Sequence, residues 1–129
     1  MSIEIKWFNG NIDDILIYIS EKNISVNKAG KHFFTHANKV MLGINKEENS
    51  FYIKPLSKAN VIRGDIPNYK MFNLKVKKDN VLINNLSFIK LLIKEFNLKL
   101  NDDKITFKAV WNPKDDYLNI NLTEVVPNE

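Results

Sequence analysis

IYISEKNISVN (Ile17–Asn27) and LKVKKDNVLIN (Leu74–Asn84) carry one pattern twice, 57 positions apart. Ile17, Ile19, Ile24 and Val26 fall on Leu74, Val76, Val81 and Ile83, and Asn23 falls on Asn80. A shift of 67 likewise lays INKEENSFYI (Ile44–Ile53) over WNPKDDYLNI (Trp111–Ile120). The ten-residue difference falls between the two blocks, where the second copy carries a longer helical stretch. Turn positions and apolar positions coincide together, which favours an internal duplication over chance likeness in a chain rich in Ile, Asn and Lys.

Each copy reads as hairpin, helix, hairpin. In the second copy Phe72, Leu74 and Val76 alternate with Asn73, Lys75 and Lys77, the period of a strand with one buried face. KKDN turns the chain, because Asp and Asn tolerate the left-handed backbone of a tight turn. Asn84 or Asn85 then caps a helix over Leu86–Phe96, with Ile89, Leu92, Ile93 and Phe96 on its apolar stripe. Ile105, Phe107, Ala109 and Trp111 alternate along the next strand, NPKDD turns, and Leu118, Ile120 and Leu122 complete the pair. In the first copy Ile15–Ser20 and Ile24–Val26 form the hairpin, and Asn27 caps a helix over Lys28–Asn38 whose Ala29, Gly30, Phe33 and Ala37 share a face. Val40–Ile44 and Phe51–Leu56 make the second hairpin around NKEENS. Met1–Asp14 reads either as a strand through Ile3, Ile5 and Trp7 or as a helix beginning at Ile12. The expectation is an α+β fold: a single domain over 1–129, two quasi-repeated ββαββ units at 15–56 and 72–123 forming antiparallel sheet with two helices packed on it, and a linker at 57–70.

The chain has 129 residues, 44% hydrophobic and 26% charged, enough apolar material to enclose one core and to exclude intrinsic disorder. No apolar run has the length of a membrane helix and MSIEIKWF is not a signal segment, so the expectation is a cytoplasmic protein without membrane contact. The absence of cysteine excludes disulfide frameworks, thiolate metal clusters and cysteine nucleophiles. Eighteen Lys stand against one Arg, beside 19 Asn and 16 Ile, a bias of the kind AT-rich coding produces. Charge is uneven: +2 over 1–60, +5 over 61–99 and −3 over 100–129. The middle third is thus the candidate basic surface, although scarce arginine argues against a surface built around bidentate phosphate forks.

The stretches ILIYISEKNISVNKAG, VMLGINKEENSFYIKPL and VLINNLSFIKLLIKEF resemble a set of small, uncharacterised bacterial proteins, mostly of AT-rich Gram-positive organisms. The resemblance specifies hairpins and helices rather than chemistry, and it carries over no catalytic residue. In the order of its elements from Ile24 onward, the chain is also similar to one domain of a DNA sliding clamp, itself a duplicated strand–helix–strands unit. That likeness implies helices beneath a curved antiparallel sheet; it does not imply a ring, and it fixes no function.

Chemistry-bearing patterns are sparse. His32 and His36, four apart on the expected short helix, are weak candidates for zinc ligands, since Phe33 stands where a metalloprotease helix carries Glu and no acid lies between Glu21 and Glu47. No metal and no cofactor are expected. The acid pairs Asp13/Asp14, Glu47/Glu48, Asp102/Asp103 and Asp115/Asp116 read mostly as turn residues. No nucleophile elbow and no Gly-rich phosphate loop occur, so no catalytic residue is assigned. Arg63-Gly64-Asp65 reads as a charged turn. The lysines Lys70, Lys75, Lys77 and Lys78 form the best functional candidate: Lys75 and Lys77 on the polar face of a strand could meet successive phosphates, with a base stacking on Tyr69 or Tyr52 if either lies beside them. The same lysines on a solvated strand would also discourage edge aggregation. The expectation is a non-enzymatic binding or assembly module, its partner another protein or a second copy in a homodimer. The alternative is a weak, sequence-independent nucleic-acid binder.

Overall fold

The structure, a computed structural model, describes residues 14–100 and 104–126. The readings made over Met1–Asp13 and at Asp102/Asp103 lie outside the described residues. Along the chain run β1 (Ile15–Ile19), β2 (Ile24–Val26), α1 (Lys28–Lys31), β3 (Ala37–Asn45), β4 (Ser50–Ser57), α2 (Lys58–Ile62), a 3₁₀ turn at Asn68–Lys70, β5 (Lys75–Val76), β6 (Val81–Ile83), α3 (Leu86–Phe96), β7 (Ile105–Asn112) and β8 (Tyr117–Val126). The eight strands form one antiparallel sheet in the order β3-β4-β8-β7-β1-β2-β6-β5. The sheet curls until its two ends meet: Val40 of β3 and Phe72, just before β5, exchange backbone hydrogen bonds of 2.9 and 2.8 Å. The fold is therefore mixed α and β: among the described residues, a curled antiparallel sheet with three short to medium helices.

Alternation sets which side faces inward. Ile17, Ile19, Ile24, Val26, Val40, Phe51, Ile53, Val81, Ile83, Phe107, Leu118 and Ile120 are fully buried. Each such aliphatic side chain contributes about 1.5–3 kcal/mol by leaving water. α3 adds Phe88, Ile89 and Leu92 to the same core, and the Phe88 ring meets Phe51 of β4 edge-on at 5.8 Å. The helix starts where Asn85 Oδ1 accepts from the Phe88 amide at 3.0 Å, and it stops at Asn97, whose φ of 53° is left-handed.

The turns follow their Asn and Asp residues. Asn45 Oδ1 accepts from the Glu48 amide at 3.2 Å and Asn112 Oδ1 from the Asp115 amide at 3.1 Å; Asn49 and Asp116, next in each turn, take φ of 51° and 55°. At the ends of β1 and β5, the Ser20 amide donates to the Asn23 carbonyl and the Lys77 amide to the Asn80 carbonyl, at 3.0 and 2.8 Å.

Three expectations need correction. The helix expected over Lys28–Asn38 ends after Lys31, and the chain turns through 32–36 into β3, because Ala37 already pairs with Ser57 and Phe34 is drawn wholly into the core. That single turn packs closely: a Cβ on Gly30 would lie 2.7 Å from Val26 Cγ1 and 2.8 Å from Ile15 Cγ2. The strand expected through Phe72–Lys77 shrinks to Lys75–Val76, and Val76 is exposed, so Lys77 projects from a turn rather than a strand face. The linker at 57–70 contains α2, whose Ser57 Oγ accepts from the Asn60 amide while Asn60 Oδ1 accepts from the Ser57 amide, at 3.2 and 3.0 Å. An Asn in place of the usual Glu or Gln hid this capping box.

Candidate binding groove

Where β1 meets β7 the sheet is stitched by five residue pairs, Ile15↔Ala109 through Ile19↔Ile105. Where β3 meets the approach to β5 there is only Val40↔Phe72. Past that bridge the backbone leaves β3, and Lys75 pairs with Leu82 of β6 instead. A groove of about 380 Å³ opens between them, lined by Lys39, Asn73, Lys75, Asn84 and Asn85, with Met71, Phe72, Leu74 and Leu82 as its apolar part. The Lys39 ammonium spans the gap to donate to Asn73 Oδ1. Among the described residues, the groove lining holds two ammonium groups and three carboxamides and no carboxylate. Among the described residues, ion pairs join Lys46 to Glu95, Arg63 to Asp65 and Lys108 to Asp14, and none of them uses Lys39 or Lys75.

Of the lysines singled out from the sequence, Lys75 lines this groove. Lys70 is exposed at the end of the 3₁₀ turn, one residue before groove residue Met71. Lys77 and Lys78 are exposed in the β5–β6 turn beside Asp79, and the Lys31 ammonium donates to the Lys78 carbonyl at 2.8 Å. Sequence reasoning missed Lys39, which the chain's closure brings to Asn73 from 34 residues away. Its signal was the outward alternation of Lys39, Met41 and Gly43 along β3. Tyr69 is 77% exposed next to Lys70, whereas Tyr52 lies half-buried on β4, beside β3.

The histidines sit elsewhere. His32 and His36, both exposed, border a shallow hollow of about 220 Å³ with Ser57, Asn60, Trp111 and Asp116. They lie on a turn, so the shared helix face expected for a metal pair does not form. Phe33 is held between the His32 ring at 3.9 Å and the Trp111 ring at 4.1 Å, the latter stacked at 15°. Among the described residues no three His, Asp or Glu gather to hold a metal ion, and neither imidazole is hydrogen-bonded to Asp116. Ser57 is occupied in capping α2. The acids of Glu47/Glu48 and Asp115/Asp116 lie in hairpin turns. Arg63 Nε pairs with Asp65 Oδ2 at 3.0 Å across Gly64, whose φ is +77°, so that tripeptide closes on itself.

Among the described residues no helix is long and apolar enough to cross a membrane. Comparison with known protein families, curated proteins and solved structures found no match to this chain.

Proposed function

We propose that this chain is a non-enzymatic binding module, built from two fused copies of one ββαββ unit, that grips a nucleic-acid backbone without reading its bases. The gripping surface is the groove beside the sheet's second seam, which a single bridge closes.

The duplication draws its support from register. A shift of 57 carries the β1–β2 pairs Tyr18↔Ser25 and Ile19↔Ile24 onto the β5–β6 pairs Lys75↔Leu82 and Val76↔Val81. A shift of 67 carries Gly43↔Tyr52, Ile44↔Phe51 and Asn45↔Ser50 onto Val110↔Asn119, Trp111↔Leu118 and Asn112↔Tyr117. The copies meet at Ser25↔Leu82 and Tyr52↔Asn119, residues 57 and 67 apart, as a two-fold relation between equivalent strands requires. The left-handed residues Asn49 and Asp116 are also 67 apart.

The observation that carries the function is the groove's chemistry. Two ammonium groups with no carboxylate among them attract phosphate, and flanking carboxamides donate to phosphate oxygens without distinguishing bases. Among the described residues, none of those lining the groove is a carboxylate, imidazole, thiol or hydroxyl, which fits holding rather than catalysis. Lys70, one residue before the lining residue Met71, and Lys77, two residues after the lining residue Lys75, add positive charge along the same stretch of chain. The test is anisotropy of a labelled oligonucleotide from low to moderate salt. Two phosphate contacts give a slope of log affinity against log salt of about −1.8 on a duplex and about −1.4 on a single strand, and Lys39→Glu with Lys75→Glu lowers affinity about tenfold or more. Absence of binding at low ionic strength, or indifference to those two substitutions, overturns the proposal. An edge-paired homodimer would need the same unpaired edge of β3, so loss of oligonucleotide binding with rising protein self-association would favour the assembly reading instead.

A further inference from the structure

The outward face of β3 runs on from the groove. Lys39 lines the seam, Met41 follows two residues later, about 6.6 Å along the strand, and Gly43 comes next. Met41 and Gly43 line a second hollow of about 310 Å³ with Tyr52, Lys54 and Tyr117. Register places them side by side: Met41 pairs with Lys54, and Gly43 pairs with Tyr52, which pairs with Asn119 on β8. The rings of Tyr52 and Tyr117 meet edge-on, 5.2 Å apart at 81°, and the Tyr117 hydroxyl is fixed by the Asn112 amide at 3.1 Å. A Cβ at position 43 would rest in ordinary van der Waals contact with the Tyr52 ring at 3.9 Å, and a larger side chain there would project into the hollow. The Lys54 ammonium closes one border by donating to the Asp115 carbonyl.

Resting on the backbone-gripping function proposed above, we infer that the ligand is single-stranded: a phosphate sits between Lys39 and Lys75 while a neighbouring base enters the tyrosine hollow and stacks on Tyr52 or Tyr117. A flat ring suits an apolar hollow walled by aromatic rings, and only an unpaired base has a face free to enter it. An anionic chain lacking rings would satisfy the lysines and leave the tyrosine hollow unused. The track also has an end. Beyond Tyr52 the sheet surface presents Asp14, Glu48 and Glu124 around Lys108, so a phosphate backbone is repelled there. The footprint is accordingly short, from the seam to Tyr52.

Anisotropy with a labelled oligothymidine, a duplex of equal length and unlabelled polyglutamate as competitor tests this. The single strand binds about tenfold tighter than the duplex, and polyglutamate competes poorly. Tyr52→Ala lowers single-strand affinity roughly 5- to 150-fold with the salt slope unchanged, and Tyr52→Phe restores it. Gly43→Val fills the hollow from the strand beside Tyr52 and gives the same loss without removing a ring; far-UV circular dichroism reports whether each variant folds. Equal binding of single strand and duplex, equal competition by polyglutamate, or full affinity in Tyr52→Ala and Gly43→Val overturns the stacking inference. If the lysine variants lose binding while the tyrosine variants keep it, the backbone grip survives and stacking fails. If no oligonucleotide binds at low salt, both fall.

Discussion

The two seams of the sheet occupy equivalent places under the proposed duplication, and they are built differently. At the first, β1 and β7 share five pairs over Ile17 and Phe107, both wholly buried. At the second, the counterpart residues 72–76 and β3 share one bridge, and the gap fills with lysine and asparagine. One seam holds the core shut; the other is relieved of that work and is free to carry polar chemistry. A similar contrast separates the helices, since α1 has four residues and α3 has eleven. The proposed duplication would supply two of everything, but one closed seam and one long helix suffice to complete the core.

The sharpest way to break this comparison is truncation at matched positions. Ile17 and Leu74 correspond under the 57-residue shift, yet Ile17 is fully buried and Leu74 only half so. Ile17→Ala leaves a cavity in a paired region and should destabilise by about 2–5 kcal/mol. Leu74→Ala, at the rim of the groove, should cost about 1–2 kcal/mol, because less apolar surface returns to water. Urea denaturation followed by circular dichroism measures both, and equal losses would mean the second seam is as structural as the first.

Much of this was legible in the sequence. The hairpins were, because Ile17/Ile19, Phe107/Ala109 and Leu118/Ile120 keep a period of two and their turns are marked by Asn and Asp. α3 was legible from the spacing of Ile89, Leu92 and Phe96 and from Asn85. The extent of α1 was not, since pairing of Ala37 with Ser57 and burial of Phe34 override a helical spacing. Of the groove, Lys75 stood out in a dense lysine run, whereas Lys39 and Asn73 acquire meaning only when the sheet curls and its ends meet. Closure by one bridge leaves no periodic trace along a chain.

A second comparison concerns how tightly each helix sits on its sheet. Gly30 in α1 touches Val26 and Ile15 so closely that a methyl group would overlap both side chains, at 2.7 and 2.8 Å. Both belong to a fully paired region that has little room to give. Gly30→Ala should therefore destabilise by about 1–3 kcal/mol, although alanine is the better helix former by about 1 kcal/mol. A stabilised Gly30→Ala protein in thermal melting would show that α1 is loosely seated and that the closed seam is not the rigid one.

The smallest effect, and the finest probe of the asymmetry, lies at the helix caps. Asn85 and Asn27 begin α3 and α1, but only Asn85 Oδ1 receives a backbone amide, that of Phe88. Asn27 instead donates from Nδ2 to the Asp14 carbonyl at 2.9 Å, and its Oδ1 is buried without a partner among the described residues. Asn85→Ala removes a working cap and should cost about 1 kcal/mol, within the usual 0.5–2. Asn27→Ala removes one hydrogen bond at an exposed edge and also removes a buried oxygen that was already unsatisfied, so the two changes offset and the net loss should stay below about 0.5 kcal/mol. Matched denaturation curves of the two variants decide it: a larger loss at Asn27 would mean that its side chain, through Asp14, anchors the start of β1 and that the closed seam depends on that tether.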